Sequence, residues 1–166
     1  ILEQLGIDTQ ATFGYEVLEP IVSLRKPAVR KVGEYLGLPK EIFNRPPFPG
    51  PALAARIVGE VTHERLDLVR KATSIVEDEL AESGAFQYLA VLHEDMVTGM
   101  RDGKRDYGRQ IEVRCWESTD AVTAEPTELP WQKLKTIAKR ASTEVPGVVS
   151  VTYNITTKPP STIEVV

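Results

Sequence analysis

The chain has 166 residues, 42% hydrophobic, 27% charged and 7% aromatic, the balance of a globular domain rather than a collagen-like, mucin-like or disordered chain. Lys and Arg number 20 against 24 Asp and Glu, a formal charge of −4, which argues against a nonspecific nucleic-acid binder. No apolar run approaches the ~18 residues of a membrane span.

Cys115 is the one cysteine, so an internal disulfide is excluded, and with only His63 and His93 available no Cys/His metal cluster is expected. Such cysteine usage points to a reducing, cytoplasmic compartment. The chain opens on Ile1 and shows no basic segment followed by an apolar core. It therefore reads as a piece of something longer, with no visible signal peptide.

In chain order, Val17 to Ile21 reads as a short strand. Ser23 is placed to cap a helix from about Leu24 to Leu36, with Val29, Val32, Tyr35 and Leu36 on one face. Gly37 and Pro39 stop it, and a helical turn runs from Pro39 to Phe43. Four prolines between Asn44 and Pro51 fit neither a helix nor a central strand. Residues 46–51 are therefore read as a linker between a segment 1–45 and a domain 52–166.

Beyond it, Leu53 to Val61 reads as a strand and Thr62 as the cap of a helix to about Ser83. Leu66, Val69, Ala72, Thr73, Val76 and Leu80 form its apolar stripe. Phe86 to His93, Val97 to Met100 and Gln110 to Trp116 read as strands, the last two flanking a basic tip, Arg101 to Arg109. Pro130 opens a helix to about Thr143 that buries Trp131, Leu134, Ile137, Ala138 and Ala141. Val148 to Ile155 and Thr162 to Val166 complete the extended pieces. The order β-α-β-β-β-α-β predicts an α+β fold, a mainly antiparallel sheet with two helices on one face.

No phosphate-cradling glycine loop, nucleophile elbow or paired-histidine motif is present. Cys115 reads as a half-buried small hydrophobe, His63 as a solvated first-turn residue, and His93 as a structural residue ending an apolar strand. The 101–109 tip reads as solvated charge or as an anion or subunit contact. Lys158-Pro159-Pro160-Ser161-Thr162-Ile163-Glu164 is more pointed. Two prolines hold a cation, a hydroxyl and a carboxylate at fixed separations, an arrangement suited to a phosphorylated, hydrogen-bonding ligand. Lys158 would meet phosphate charge and Glu164 would accept from N–H or hydroxyl donors.

These residues resemble the C-terminal part of the GMP synthetase family, whose signature reads K-P-P-A/G-T-I-E after V-x-Y-D-I-S/T. The counterpart runs from Val151 to Glu164. The family's R-x-P-F-P-G-P-G-L-A-x-R-I/V is matched by Arg45 to Ile57, with Ala52 at the usual glycine. Leu-Arg and T-A-x-x-x-x-L-P are matched by Val113-Arg114 and Thr123 to Pro130. Upstream, Glu19-Pro20 and Leu36 to Pro39 are similar to the last helix of the family's ATP pyrophosphatase (PP-loop) domain.

The resemblance implies a carbon–nitrogen ligase that activates xanthosine monophosphate (XMP) with ATP and Mg2+, then aminates it to GMP with nitrogen from a glutamine amidotransferase partner. By the same resemblance Arg114, Lys158, Ile163 and Glu164 would hold XMP, and the region after Pro51 would form a homodimer that covers the open sheet face. No catalytic residue, metal site, nucleic acid or membrane is expected here, and the segment alone is expected to be inactive.

The family's S-G-G-x-D-S loop and I-K-x-H-H-N lid are not in these residues. Arg25 to Ala28 replace Phe-Lys-Asp-Glu, Asn154 stands for aspartate, and Val165-Val166 for the closing W-E. These departures motivate an alternative, the dimerisation domain of a PP-loop ATPase with a different substrate. A KH-like RNA-binding module rests on element order alone, and a pI near 5.3 opposes it.

Overall fold

The computed structural model describes residues 5–14, 16–43, 52–120 and 122–165. It divides into two compact units, Ile1–Arg45 and Pro46–Val166. The proline-rich segment read as a linker lies outside the described residues.

The first unit carries three short helices, α1 (Thr9–Phe13), α2 (Lys26–Tyr35) and α3 (Lys40–Phe43). No strand forms at Val17 to Ile21. The chain turns there instead, with Val22 N–H donating to Glu19 O at 3.2 Å and Leu24 N–H to Ile21 O at 2.9 Å. Ser23 is not the cap of α2. Arg25 occupies that position and makes no side-chain capping bond. Pro27 decides the start, because proline fits a helix only in its first turn. Tyr35 and Leu36, expected on a buried face, are exposed, as are Val17, Leu18, Ile21 and Ile42.

The second unit is built on a four-stranded sheet. Ala52–Arg56 is a 3-10 helix, not the expected strand. Only Ile57 then pairs with the sheet, through a single parallel bridge to Leu92. Thr62 caps α4 (His63–Leu80) as expected, its hydroxyl accepting from Arg65 N–H at 3.2 Å. The helix ends three residues before the expected Ser83.

The two strands expected over Phe86 to Met100 are one bent strand, β1 (Gln87–Arg101), with a register shift between Leu92 and Met96. It pairs antiparallel with β2 (Lys104–Glu117) through a two-residue turn. Asp102 and Gly103 both have positive φ there, 51° and 74°, as a tight Asp-Gly hairpin requires. The expected basic tip is thus mostly paired strand, and Arg101 Nε donates to Asp106 at 2.9 Å. On its other edge β2 pairs parallel with β4 (Val148–Tyr153) and antiparallel with the short β3 (Glu125–Pro126). Thr162 to Val165 bends rather than forming the expected extended piece.

Side-chain alternation gives the sheet two different faces. Ala90 and Leu92 of β1 and Ile111, Val113 and Cys115 of β2 meet α4 and α5 (Trp131–Glu144). Both helices lie on this face, as expected. Leu68, Val69, Ala72, Ile75, Val76 and Leu80 come from α4 and Ile137 from α5. Cys115 is fully buried rather than half-buried, and burial pushes its thiol pKa up. Trp131, expected in this core, is exposed at the first position of α5. Arg140 of α5 ties the helices together, reaching Asp78 at 3.2 Å and Glu79 at 3.0 Å.

On the opposite face Leu89, Val91 and Trp116 form a second cluster with Ala124 and Ile163. The chain's own terminal segment covers this part of the sheet, so no partner is needed there. Among the apolar side chains left exposed in this unit, Met96, Met100 and Tyr107 lie further out on the hairpin.

The start of β4 runs tightly over the hairpin. A Cβ on Gly108 would stand 2.6 Å from Val149 Cγ1 and collide with the Gly147 carbonyl oxygen. That oxygen accepts from Arg109 N–H at 2.7 Å, so it has no freedom to retreat. Gly108→Ala is expected to destabilise the unit by about 1–3 kcal/mol, the usual cost of overpacking, read as a lowered urea midpoint. An unchanged midpoint would show that β4 shifts freely on the hairpin.

Candidate functional site

The terminal segment 158–165 lies as a strap across the face of β1 and β2 that the helices leave open. Its first anchor is backbone pairing. Lys158 N–H donates to Ala124 O at 2.8 Å, and Ala124 N–H donates to Lys158 O at 3.0 Å. The loop that presents Ala124 is itself fixed by Asp120, whose carboxylate accepts from Val122 N–H at 2.8 Å and Thr123 N–H at 2.9 Å. The Lys158–Pro159 and Pro159–Pro160 peptide bonds are both cis, and Ser161 N–H closes the turn onto Thr157 O at 3.0 Å.

Ile163 provides the second anchor, 8% exposed among Leu89, Val91 and Trp116. Arg114 provides the third. The residue is 7% exposed, and its guanidinium donates through Nη1 to Thr162 O at 2.8 Å and Ile163 O at 3.3 Å. Its Nε donates to Glu112 Oε1 at 2.7 Å. Nη2 makes no hydrogen bond among the described residues. Two of its nitrogens thus grip the chain itself, a role the sequence reading did not give it.

Glu112 is the hub of a small network. Residues 112 and 114 share one face of β2, two apart on a strand. Besides Arg114, Asn154 Nδ2 donates to Glu112 Oε1 at 2.8 Å, and His93 Nε2 meets Oε2 at 2.5 Å. Asn154 is fixed in this orientation because its Oδ1 accepts from Thr156 N–H at 3.0 Å. Aspartate, the residue usual in the resembling family, would match that acceptor but would set a second carboxylate against Glu112. Burial pushes the Glu112 carboxyl up. Hydrogen bonds from Asn154, His93 and Arg114, with the Arg114 charge, outweigh it, and the group lies below the usual carboxylate range.

Glu164 shows the opposite balance. Gln87 Nε2 donates to its Oε1 at 2.9 Å. Among the described residues its buried Oε2 has no hydrogen-bond partner, nor has the indole N–H of the fully buried Trp116. Burial raises the Glu164 carboxyl above its ordinary value, partly offset by the Arg56 charge, the Gln87 bond and the Arg114 charge. Arg56 is itself buried at the end of the 3-10 helix. A half-buried carboxylate with an unused acceptor is costly for stability, the kind of cost that recognition sites carry.

The structure thus gathers Arg114, Ile163 and Glu164, with Lys158 where the strap enters. Sequence reasoning did not single out Glu112, Gln87, Arg56 or the functional side of Asn154. One signal was available for Glu112, an acid and a base two apart inside the apolar run Ile111 to Trp116. His63 is exposed at the start of α4, as expected, whereas His93 belongs to the Glu112 network. A separate cavity of about 510 Å³ opens at the C-terminal end of α4, lined by Glu79, Ser83, Glu117, Thr127, Glu128 and Lys133. None of the four residues chosen from sequence lines it.

The two carboxylates give stability effects of opposite sign. A depressed folded-state pKa, as at Glu112, stabilises above the unfolded value of about 4.3 and is lost as pH falls through the folded value. Glu164, with its raised pKa, opposes folding once pH exceeds the unfolded value. Glu164→Gln is therefore expected to raise the melting temperature at pH 7, with Gln87 still bonded, and to bring little change near pH 3. A melting temperature lowered at pH 7 would contradict this assignment.

Comparison with known proteins agrees with the motif reading. Residues 73–165 match the family model described as the GMP synthase C terminal domain. The chain is 50% identical over 153 residues to a GMP synthase (glutamine-hydrolyzing) subunit of Methanothermobacter thermautotrophicus, covering 90% of this chain and 50% of the relative. It is 50% identical over 149 residues to the like-named subunit of Archaeoglobus fulgidus, covering 90% and 49%. Against GMP synthase (glutamine-hydrolyzing) of Aeropyrum pernix it is 47% identical over 153 residues, covering 90% and 30%. The chain spans about half the length of these two archaeal subunits, and no helix among the described residues is long and apolar enough to cross a membrane. The matched segment runs from the middle of α4 through the strap, and the chain belongs to the GMP synthase C-terminal domain family.

Proposed function

We propose that the second unit is the XMP-binding and dimerising domain of a GMP synthase, an enzyme that aminates XMP to GMP at the expense of ATP. The observation that carries this reading is the strap. In the stretch Lys158 to Glu164 a half-buried carboxylate keeps one buried oxygen without a partner among the described residues, beside a clamped arginine and at the end of a proline-stiffened lysine segment. Such a site favours a ligand that brings N–H or hydroxyl donors at one end and phosphate charge at the other.

In this reading Glu164 Oε2 accepts from the ligand, Ile163 supports it from the apolar cluster, and Lys158 neutralises the phosphate. Arg114 adds its Nη2 to the phosphate while its other nitrogens hold the strap. Ordering these groups before binding lowers the entropy lost on association. Proton transfer and bond making at the base are not assigned to residues of this chain.

ATP and Mg2+ belong, in this reading, to a pyrophosphatase domain of which residues 1–45 are the tail. The exposed apolar side chains of that unit suit a segment completed by further strands. The residues at hand do not fit those groups. The S-G-G-x-D-S loop is absent from the sequence, and no three His, Cys, Asp or Glu among the described residues could hold a metal ion. That the archaeal relatives are named as subunits supports a separate glutamine amidotransferase subunit as partner. The open apolar end of the hairpin, Met96, Met100 and Tyr107, suits a homodimer contact.

The test is calorimetric titration of XMP into wild type and Lys158→Ala, in this chain and in the complete enzyme. Saturable binding weakened about tenfold or more in the variant is expected, since a hydrogen bond to a charged group contributes roughly 1.5–3 kcal/mol. Binding untouched by Lys158→Ala, or selective binding of a different nucleotide, would overturn the reading.

A further inference from the structure

We infer that Glu112 is a positioning residue that keeps the terminal strap seated by acting through Arg114. Three donors from different parts of the chain converge on its carboxylate: His93 from β1, Arg114 from β2 itself, and Asn154 from just beyond β4. Arg114 alone continues outward, and its continuation is the strap, at Thr162 O and Ile163 O.

The geometry makes Glu112 the half of the pair that determines direction. An arginine side chain has four rotatable bonds and loses much rotamer freedom when it is fixed. A carboxylate gripping Nε leaves the planar fork a narrow range of directions for Nη1. His93 and Asn154 hold that carboxylate still, so the fork is aimed before the strap arrives. Without the Glu112 charge, Arg114 would be a 7% exposed cation hydrogen-bonded to two carbonyl oxygens, with the Glu164 charge near but not bonded to it, and burying a charge without its bonded counter-ion is strongly unfavourable. The guanidinium would then turn toward water and release the strap. Glu164 has its own bond to Gln87 but follows the strap backbone by one residue, so its buried position depends on the same grip. The effect of this grip on XMP rests on the function proposed above, whereas the grip itself does not.

Trp116 makes the strap observable. It is fully buried beneath Ile163, and the only other tryptophan, Trp131, is exposed on α5. In a Trp131→Phe background, acrylamide quenching reports whether the strap covers Trp116. Glu112→Gln keeps shape and removes charge. It is expected to raise the quenching constant severalfold, with far-ultraviolet circular dichroism unchanged. Arg114→Ala is expected to do the same, and the double variant to match either single change, because the two residues act as one unit. Effects that add, or quenching that stays at the wild-type level in Glu112→Gln, would overturn the inference. Should Glu112→Gln fail to fold, Asn154→Ala removes one donor only and is expected to give a smaller rise, and no rise there would also sink it. In wild type that binds XMP, Glu112→Gln is expected to raise Kd at least tenfold. Strap release in a chain whose wild type binds no XMP would support the inference and refute the proposed function.

Discussion

The alternation of side chains along β2 is the constraint on which both the fold and the strap rest. Residues 111 to 116 are all buried, yet they serve two unlike environments in strict turn. Ile111, Val113 and Cys115 enter the helix-side core, while Glu112, Arg114 and Trp116 face the strap. A slip of one residue would carry a carboxylate and a guanidinium into the packing of α4 and α5. It would also bring Val113 and Cys115 beneath the strap, where neither can grip a carbonyl. β2 is paired along both edges, by β1 on one side and by β4 and β3 on the other, so its register is fixed by three partners at once.

That arrangement explains how polar groups are tolerated inside a small domain. A buried ion pair is poor evidence for stability, since desolvation offsets its attraction. The Glu112 and Arg114 pair is further bonded by His93, Asn154 and two carbonyl oxygens, while Arg114 Nη2 keeps donor capacity in hand. The consequence of this network is directional, because it joins the centre of the sheet to the strap. Glu164 differs, with one oxygen bonded and the other without a hydrogen-bond partner among the described residues. The scaffold carboxylate is held charged by its neighbours and the strap carboxylate is pushed toward its neutral form by burial. The two lie on the same face of one sheet.

How much was legible in the sequence follows from the range of the interactions. α4, α5, β2 and the core side of the sheet could be read from periodicity and caps, because those signals act over three or four residues. The expected strand at Leu53 to Val61 failed because apolar residues in a short run do not fix strand geometry, and only Ile57 found a partner on the sheet. Ser23 failed as a cap because Pro27 imposed its own position on the helix start. The bend that fuses Phe86 to Met100 into one strand depends on pairing with β2 and has no local signature. Lys158 and Glu164 stood out in the proline-stiffened terminal stretch, and motif resemblance added Arg114 and Ile163, whereas Glu112, Gln87 and the partner of His93 stayed hidden. The partners of His93 and Gln87 lie 19 and 77 residues away in the chain, and Asn154 lies 42 residues from Glu112, beyond any pattern of spacing; only the Glu112 and Arg114 pair, two apart, was local.

Asn154 shows why such hidden residues are worth reading from the structure. In the sequence it looks like the loss of a family aspartate. In the fold it has a donor's task, since its Nδ2 supplies one of the three hydrogen bonds that hold Glu112 charged. An aspartate at this place would require one of the two carboxyls to take up a proton, or an additional cation to sit between them. The substitution thus exchanges a titrating contact for a fixed one, and it leaves the strap's grip less sensitive to pH than a carboxyl pair would make it. Amide and carboxylate have nearly the same shape, so this difference lies in charge and in the direction of donation.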